Sequence, residues 1–161
     1  SAMLPMLFAV VLVVLFVLLE EYIKQAAAAC VVPCVIITTK FFTVSVLASL
    51  NSGFSFGLGG ALPHFFHVGL PLILIAAVFC EGIVRLRTDR AAYAELLIVS
   101  GGCANLYDRI VHGAVRDYLA TTLWGYEMPI INMGDVLIVL GVALFLLREL
   151  CVYRSMRCSK R

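Results

Sequence analysis

Residues 4–19 read LPMLFAVVLVVLFVLL, sixteen apolar residues without a break. About 17 apolar residues can suffice to span a bilayer, so this run is nearly long enough by itself. After Glu20, Glu21 and Lys24 the apolar character resumes over 26–37, which predicts one long helix with an internal charged turn. No basic residue precedes residue 4, which argues against a cleaved signal peptide, so we expect the helix to persist.

The charged turn in this helix has two interpretations of equal weight. Glu20 and Lys24 are four residues apart, on one helical face, where they can pair. Ionisable groups are expensive at membrane depth, so the pair is expected to face the interior of a helix bundle. Alternatively, the same residues form an interfacial cluster whose long side chains extend toward water.

The composition of the chain is that of an integral membrane protein. It has 161 residues, of which 63% are hydrophobic and 14% charged, with a mean hydropathy of +1.05. This length fits one domain, over residues 1–161, with room for four spans of about 20 residues each. The net charge of +2 without a long basic tract excludes a nucleic-acid role, and the six cysteines contain no CxxC pair.

Three further apolar runs, over 65–84, 91–106 and 131–147, complete four predicted transmembrane helices. Between the first two spans, residues 38–60 change to a pattern of Thr, Val, Ser, Phe and Gly. The alternation at 43–46 and the turn-rich 51–53 predict strands and turns outside the lipid core.

Basic residues predict the orientation of these helices. Three arginines lie within 85–90, and five Lys or Arg residues lie in a basic tail at 148–161. The positive-inside rule places both groups in the cytoplasm, and therefore both termini as well. The polar segments 38–64 and 107–129 should then share the outer face, with Trp124 and Tyr126 as interfacial aromatics. Chemistry is expected on that face.

The outer segments and the helix ends beside them are rich in polar residues. Asp117 follows the third span and Asp135 begins the fourth, so antiparallel helices can bring both carboxylates to one depth, where such a pair can activate water. A structural alternative exists for each residue: Asn132 is a candidate N-cap with Asp135 in its first turn. Further polar residues at these helix ends are Asn105, Asp108, Arg109, His112 and Arg116.

Charged residues that are adjacent in sequence also have structural interpretations. Asp108 beside Arg109 is typical of a structural ion pair, and Arg116 beside Asp117 invites the same interpretation. His112 is interpreted as polar lining. No His/Cys cluster has metal-ligand spacing and no GxSxG motif is present, so metal and serine mechanisms are not indicated.

Three ordered motifs resemble those of bacterial lipoprotein signal peptidase, also called signal peptidase II. They are GGCANLYDR at 101–109, GAVRDY at 113–118 and INMGD at 131–135, against family patterns of roughly GN-x-x-DR, G-x-V-x-D-F and F-N-x-A-D. Upstream, EEYIK at 20–24 is similar to the family's D-Q-x-[ST]-K, and NSGFSF at 51–56 to its N-x-G-A-x-F. The resemblance covers nearly the whole chain.

The resemblance implies four helices with a small β-cradle on the outer face of the bacterial inner membrane. It implies hydrolysis of the peptide bond before a diacylglyceryl-modified cysteine in a prolipoprotein, without metal or organic cofactor, and competition by globomycin-type inhibitors. Asp117 and Asp135 would be catalytic. Residues that would orient substrate and dyad are Asn51, Gly53, Asn105, Arg109 and Asn132, and the structural polar residues are Glu20, Lys24 and Asp108.

Several positions depart from the family pattern, and none removes a catalytic carboxylate. Phe54 replaces a small residue and narrows the expected substrate pocket. The other departures are Glu20 and Glu21 for Asp-Gln, Ala104 before Asn105, Tyr118 for Phe and Gly134 for Ala. Two rival functions stay open: a non-catalytic paralogue that binds lipidated precursors, and a small four-helix transporter that relays ions through the same aspartates.

The two aspartates are expected to share one proton. Two carboxylates about 4 Å apart, at an effective dielectric near 20, repel by roughly 4 kcal/mol, which raises one apparent pKa by about 3 units. One member would then be protonated near neutral pH. That state supplies a base for water and an acid for the scissile carbonyl.

Overall fold

The computed structural model describes residues 3–30, 33–52, 65–88 and 90–158. Its four helices are α1 (Met3–Ala28), α2 (Leu70–Arg87), α3 (Tyr93–His112) and α4 (Met133–Cys158), and a π-helical turn at Phe65–Gly69 leads directly into α2. Its strands are β1 (Cys34–Thr38), β2 (Phe42–Asn51), β3 (Val115–Leu123) and β4 (Tyr126–Glu127). The predicted architecture of four helices with a small sheet is confirmed.

The first helix is shorter than predicted. It ends at Ala28, whereas the apolar pattern had suggested a helix to residue 37. Pro33 lacks a backbone N–H, and the β-branched residues Val35, Ile36 and Ile37 favour extended backbone. The stretch therefore starts the sheet as β1, and the strands predicted within 38–60 are confirmed as far as residue 51.

The sheet is antiparallel, in the order β1-β2-β3-β4. In the pairing of β2 with β3, Ser49 lies opposite Asp117 and Asn51 lies opposite Val115. The β3–β4 hairpin turns through Trp124 and Gly125, both with positive φ (48° and 83°), which suits a tight turn between twisted strands. This register puts the end of β2 beside Asp117.

Two boundaries in the second half were predicted wrongly. The segment 107–129 was expected to be a polar connection, but α3 continues to His112 and β3 occupies Val115–Leu123. We expected the fourth helix to end near residue 147 and a basic tail to follow. Instead α4 continues to Cys158. The polar residues of this last part are compatible with a helix because they do not have to be buried.

The helix bundle has an apolar exterior and a polar interior. Large apolar side chains such as Leu7, Phe8 and Leu15 are exposed on α1. The largest fully buried side chains are Glu20, Glu95, Asn132 and Asp108. This arrangement inverts that of a soluble protein and is expected where lipid is the solvent, because intramembrane polar groups face the bundle interior.

By length and composition, three of the described helices are suited to crossing a membrane: Met3–Ala28, Phe65–Arg87 and Met133–Arg157. The helix α3, predicted as a span, does not meet this criterion. It packs against α1, α2 and α4 and buries polar residues along its length, including Glu95, Asn105 and Asp108. Its place at the centre of the bundle removes the need for a uniformly apolar surface.

Close packing of α3 on α4 depends on a glycine. A Cβ built on Gly101 would lie 2.2 Å from the carbonyl oxygen of Gly134. Any side chain at position 101 would therefore push away the first turn of α4, where Asp135 lies. Close packing of the two helices therefore explains the first glycine, Gly101, of the motif at 101–109.

Candidate active site

Asp117 and Asp135, eighteen positions apart in sequence, line one cavity of about 480 Å³. Asp117 comes from β3 and Asp135 from the first turn of α4. Asn51, at the end of β2, and Arg109, near the end of α3, line the same cavity. Four elements thus bring together four of the residues that the sequence had singled out.

Asn132 joins the two aspartates. Its side-chain Nδ2 donates to Asp117 Oδ1 at 2.7 Å, and its backbone N–H donates to Asp135 Oδ2 at 3.3 Å. In return, the backbone N–H of Asp135 donates to Asn132 Oδ1 at 3.0 Å. This reciprocal pair of bonds is a capping box at the start of α4. Asn132 is therefore the predicted N-cap, and its side chain also binds the carboxylate of Asp117.

The backbone carries Asn132 to this place. Ile131 forms an isolated bridge with Leu119 of β3, in which the N–H of Leu119 donates to the carbonyl of Ile131 at 2.8 Å. Asn132 follows immediately, fully buried between β3 and α4. The bridge therefore ties the segment before α4 to the strand that bears Asp117.

Asp117 is buried, with 3% of its surface exposed, and both of its oxygens accept amide hydrogen bonds. Besides the bond from Asn132, Asn51 Nδ2 donates to Oδ2 at 3.1 Å. Burial raises the pKa of Asp117 from 3.8 to about 6, although the two amides oppose this shift by lowering the pKa. The negative charge of Asp135 adds a smaller upward contribution, so burial exceeds the like-charge repulsion that we expected to dominate.

Asp135 is only partly buried and faces the cavity. Asn105 Nδ2 donates to its Oδ1 at 2.8 Å, which complements the capping-box bond to Oδ2. The guanidinium of Arg109 is attracted by both Asp135 and Asp117. The site thus holds two carboxylates, three asparagine amides and one arginine.

A second polar network lies behind Asp117, on the side of α1. Lys24 Nζ lies 2.9 Å from Asp108 Oδ2, and Arg116 Nη2 lies 2.6 Å from Asp108 Oδ1. Arg116 also pairs with Glu21. Glu20 and Lys24 are 1% and 2% exposed, which decides between the two interpretations of the charged turn in favour of the bundle interior.

Arg116 had been interpreted as a partner of its neighbour Asp117, and this interpretation is wrong. Successive side chains of a strand point to opposite faces of the sheet, so Arg116 points to α1 while Asp117 points to the cavity. The contribution of Arg116 and Glu21 was missed because a pairing across 95 positions leaves no local spacing signal. Asp108 pairs with Lys24 and Arg116, and its predicted pairing with Arg109 was based on adjacency alone.

One group of possible metal ligands occurs in this network. Carboxylate oxygens of Glu21 and Asp108 and a ring nitrogen of His112 lie within 4.8 Å of one another. Both carboxylates already bind Arg116, and Asp108 also binds Lys24. A divalent cation would have to displace or approach these cations, so the donor set does not fit a metal centre.

The arrangement around the dyad suits acid–base chemistry on a bound water. Both carboxylates border open cavity space, and amide groups fix each of them. One wall of the cavity is apolar, formed on α4 by Val136, Val139 and Leu140. Gly53 and Phe54 lie outside the described residues, so the predictions for them stay predictions.

The chain matches the family model described as signal peptidase (SPase) II over residues 6–151. It is 34% identical over 109 residues to the lipoprotein signal peptidases of Yersinia pestis (strain Pestoides F) and Yersinia pseudotuberculosis serotype O:3 (strain YPIII), covering 65% of this chain. The match spans 63% of the length of these curated relatives.

Two solved structures share the fold. Both are described as a bacterial membrane enzyme structure obtained by the in meso method, at 2.3 Å and 1.9 Å resolution. The first has a TM-score of 0.71 and 21% identity and covers 89% of this chain and 87% of its own. The second has a TM-score of 0.70 and 22% identity and covers 89% and 92%.

Proposed function

Because the chain belongs to the signal peptidase II family, we propose that it is an intramembrane aspartic endopeptidase that removes signal peptides from lipoprotein precursors. The scissile bond would be the one before a diacylglyceryl-modified cysteine. The observation that carries the proposal is the joint placement of Asp117 and Asp135 in one cavity, linked through Asn132. No metal or organic cofactor takes part in the proposed reaction.

In the proposed mechanism the dyad holds one proton. The ionised carboxylate removes a proton from water as the water oxygen bonds to the scissile carbonyl carbon, and the protonated carboxyl donates a hydrogen bond to the carbonyl oxygen, which becomes the oxyanion. The dyad then returns a proton to the amide nitrogen as the C–N bond breaks and the carbonyl re-forms, which releases the amine and the new carboxyl group. A pKa of about 6 for Asp117 supports partial protonation near neutrality. The two titrations belong to the pair, so the roles are assigned to the dyad as a whole.

The shape of the cavity supports a lipidated substrate. Its polar end holds Asn51, Arg109 and the dyad, and its other wall is apolar. A peptide backbone can bond to the polar end while acyl chains lie along α4 in the bilayer. Each acyl methylene left in hydrocarbon contributes about 0.8 kcal/mol to membrane retention, which holds the scissile bond near the cavity. Globomycin-type cyclic peptides are expected to compete for this space.

The proposed location is the bacterial cytoplasmic membrane, with both termini in the cytoplasm. Arginines at the inner ends of the helices support this orientation: Arg85 and Arg87 end α2, and Arg148 lies in the last half of α4. The sheet and the dyad are at the opposite ends of these helices. The active site would therefore open toward the extracytoplasmic face.

The direct test is cleavage by purified protein in detergent micelles. A diacylglyceryl-modified precursor should be converted to a product whose first residue is the lipidated cysteine, as read by mass spectrometry. The unlipidated precursor is the matched control and should be cleaved at a much lower rate. Binding of the lipidated precursor without cleavage would favour the non-catalytic paralogue, and equal cleavage of both precursors would refute the proposed specificity.

A further inference from the structure

The hydroxyl of Tyr118 connects three elements on the side of β3 that faces away from the cavity. It donates to Glu20 Oε2 on α1 at 3.1 Å, and it accepts from the backbone N–H of Met133, the first residue of α4, at 3.3 Å. Tyr118 is 4% exposed and Glu20 is 1% exposed. The bond between Tyr118 and Glu20 therefore lies where water cannot substitute for a lost partner, whereas the bond from Met133 is part-buried.

The direction of these bonds depends on Glu20. A hydroxyl has one hydrogen and two lone pairs, and the N–H at the start of a helix has no partner within the helix. The Glu20 carboxylate accepts the single hydrogen of the Tyr118 hydroxyl, so this hydrogen points away from Met133. A lone pair of the hydroxyl oxygen can then accept from the N–H of Met133. The backbone of Gly134 also interacts with the Glu20 carboxylate. A negative charge near the first turn of α4 is favoured by the helix dipole as well.

The two bonded residues are close in sequence to the two aspartates. Tyr118 is adjacent to Asp117 on β3, and Met133 lies two positions before Asp135 on α4. A bond between Met133 and Tyr118, on the face of β3 opposite the cavity, therefore helps to set the separation of the two carboxylates. Asn132 does the same through its direct bond to Asp117. Lys24 Nζ, 3.7 Å from Glu20 Oε1, balances the buried charge.

The contact depends on the length of one side chain and on the hydroxyl of the other. An aspartate would withdraw the carboxylate by one methylene, about 1.5 Å, which exceeds the tolerance of a hydrogen bond. A phenylalanine has no hydroxyl. The contact therefore requires both Glu20 and Tyr118.

We propose that Glu20 and Tyr118 act as a positioning pair, which docks the first turn of α4 onto β3 and so sets the geometry and shared proton of the dyad. This inference rests on the proposed function of Asp117 and Asp135. Neither Glu20 nor Tyr118 is among the residues that line the cavity. Their effect on the chemistry would be indirect.

Three variants test the pair: Tyr118→Phe, Glu20→Asp and the double variant. Tyr126→Phe is the matched control, since it removes a hydroxyl from an exposed tyrosine of the same sheet. With the lipidated precursor, each single variant should lower kcat about tenfold and leave KM within about twofold of wild type, because positioning acts on the transition state. The double variant should lose no more than the worse single variant, because the second change removes an interaction already lost.

A second readout does not require cleavage. The carbonyl stretch of the protonated dyad, followed by infrared spectroscopy during a pH titration of purified protein, should have a different midpoint in Tyr118→Phe and Glu20→Asp than in wild type and Tyr126→Phe. If wild type fails to cleave the precursor, the proposed function fails and this titration alone decides the inference. Lowered thermal stability with unchanged kcat, KM and midpoint would overturn it, as would additive losses in the double variant.

Discussion

Asn132 Nδ2 donates to Asp117 Oδ1 at 2.7 Å while the same side chain, through Oδ1, accepts from the backbone of Asp135. The amide thus has one end on each aspartate. Helix capping and site assembly are therefore not alternatives in this chain. The residue that starts α4 also fixes the buried carboxylate on β3.

Asn132→Ser separates these two tasks. Serine is a good N-cap and keeps an acceptor for the helix start, but it has no amide to donate to Asp117. We expect the midpoint of thermal unfolding to change little and kcat to fall by roughly 10²-fold, as for other lost preorganised donors. Asn132→Ala, which also removes the cap, should in addition cost about 1 kcal/mol of stability.

The contrary outcome for Asn132→Ser is a kcat near that of wild type. Asp117 would then be held well enough by Asn51 alone. The bond from Asn132 would be incidental to catalysis.

Asp117→Asn should change how stability depends on pH. Folding raises the pKa of Asp117 from 3.8 to about 6, so the folded state binds this proton more tightly than the unfolded state. The proton therefore stabilises the fold fully below pH 3.8, and this stabilisation is lost as the pH rises through about 6. The full effect is of the order of 3 kcal/mol, since one pKa unit corresponds to about 1.4 kcal/mol.

The measurement is thermal unfolding of wild type and Asp117→Asn between pH 5 and pH 8. The asparagine variant lacks the penalty for a buried charge, so its advantage over wild type should grow as the pH rises. Glu127→Gln, at an exposed position on β4, serves as a control that should show no such trend. A constant difference between Asp117→Asn and wild type would mean that Asp117 titrates as an exposed carboxyl does.

Asp108→Asn should lower stability more than it lowers the chemical step. Asp108 is fully buried between Lys24 and Arg116, so its loss removes the shorter ion pair of the buried Lys24, which keeps only Glu20 at 3.7 Å, and leaves Arg116 with Glu21 alone. Breaking a buried pair from one side typically costs about 3–5 kcal/mol. The double variant Lys24→Met with Asp108→Asn should recover part of that loss. A large fall in kcat with unchanged stability would instead place Asp108 in the catalytic machinery.

The proposed orientation predicts the accessibility of two positions. In a cysteine-free variant, single cysteines placed at Ser52 and Ser159 should react differently with a membrane-impermeant thiol reagent in intact cells. Ser52, just after β2, should be labelled, and Ser159 should be protected until the membrane is permeabilised. Labelling of both in intact cells would contradict the proposed topology.

The sequence indicated the helices, and which polar residues lie together, better than it indicated the contacts between those residues. Long unbroken apolar runs are a strong signal for membrane-spanning helices, and the ordered motifs indicated Asp117, Asp135, Asn105 and Asn132 as one group. The strand character of Cys34–Thr38 was hidden because an apolar β-branched run reads equally well as the end of a helix. Local pattern alone does not separate these two states.

The contact between α1 and β3 could not be predicted from local sequence patterns. Tyr118 and Glu20 are 98 positions apart, and their bond depends on how the sheet packs on the bundle. The cause of the raised pKa of Asp117 was also misjudged, because the depth of burial of a strand residue follows from tertiary packing. Repulsion from Asp135 contributes, but burial contributes more.

The most direct test of the dyad is single-turnover cleavage of a lipidated precursor by Asp117→Asn and Asp135→Asn. Both substitutions keep the size of the side chain and one of its two acceptor oxygens, so each variant retains one of the two hydrogen bonds that the carboxylate accepts. In Asp135→Asn the remaining oxygen can still accept from the N–H of Asn132. We predict that both variants fold, bind the precursor with near wild-type affinity and cleave it several orders of magnitude more slowly. A well-folded Asp135→Asn variant with near wild-type cleavage would contradict the account, because Asp135 would then serve only to cap α4.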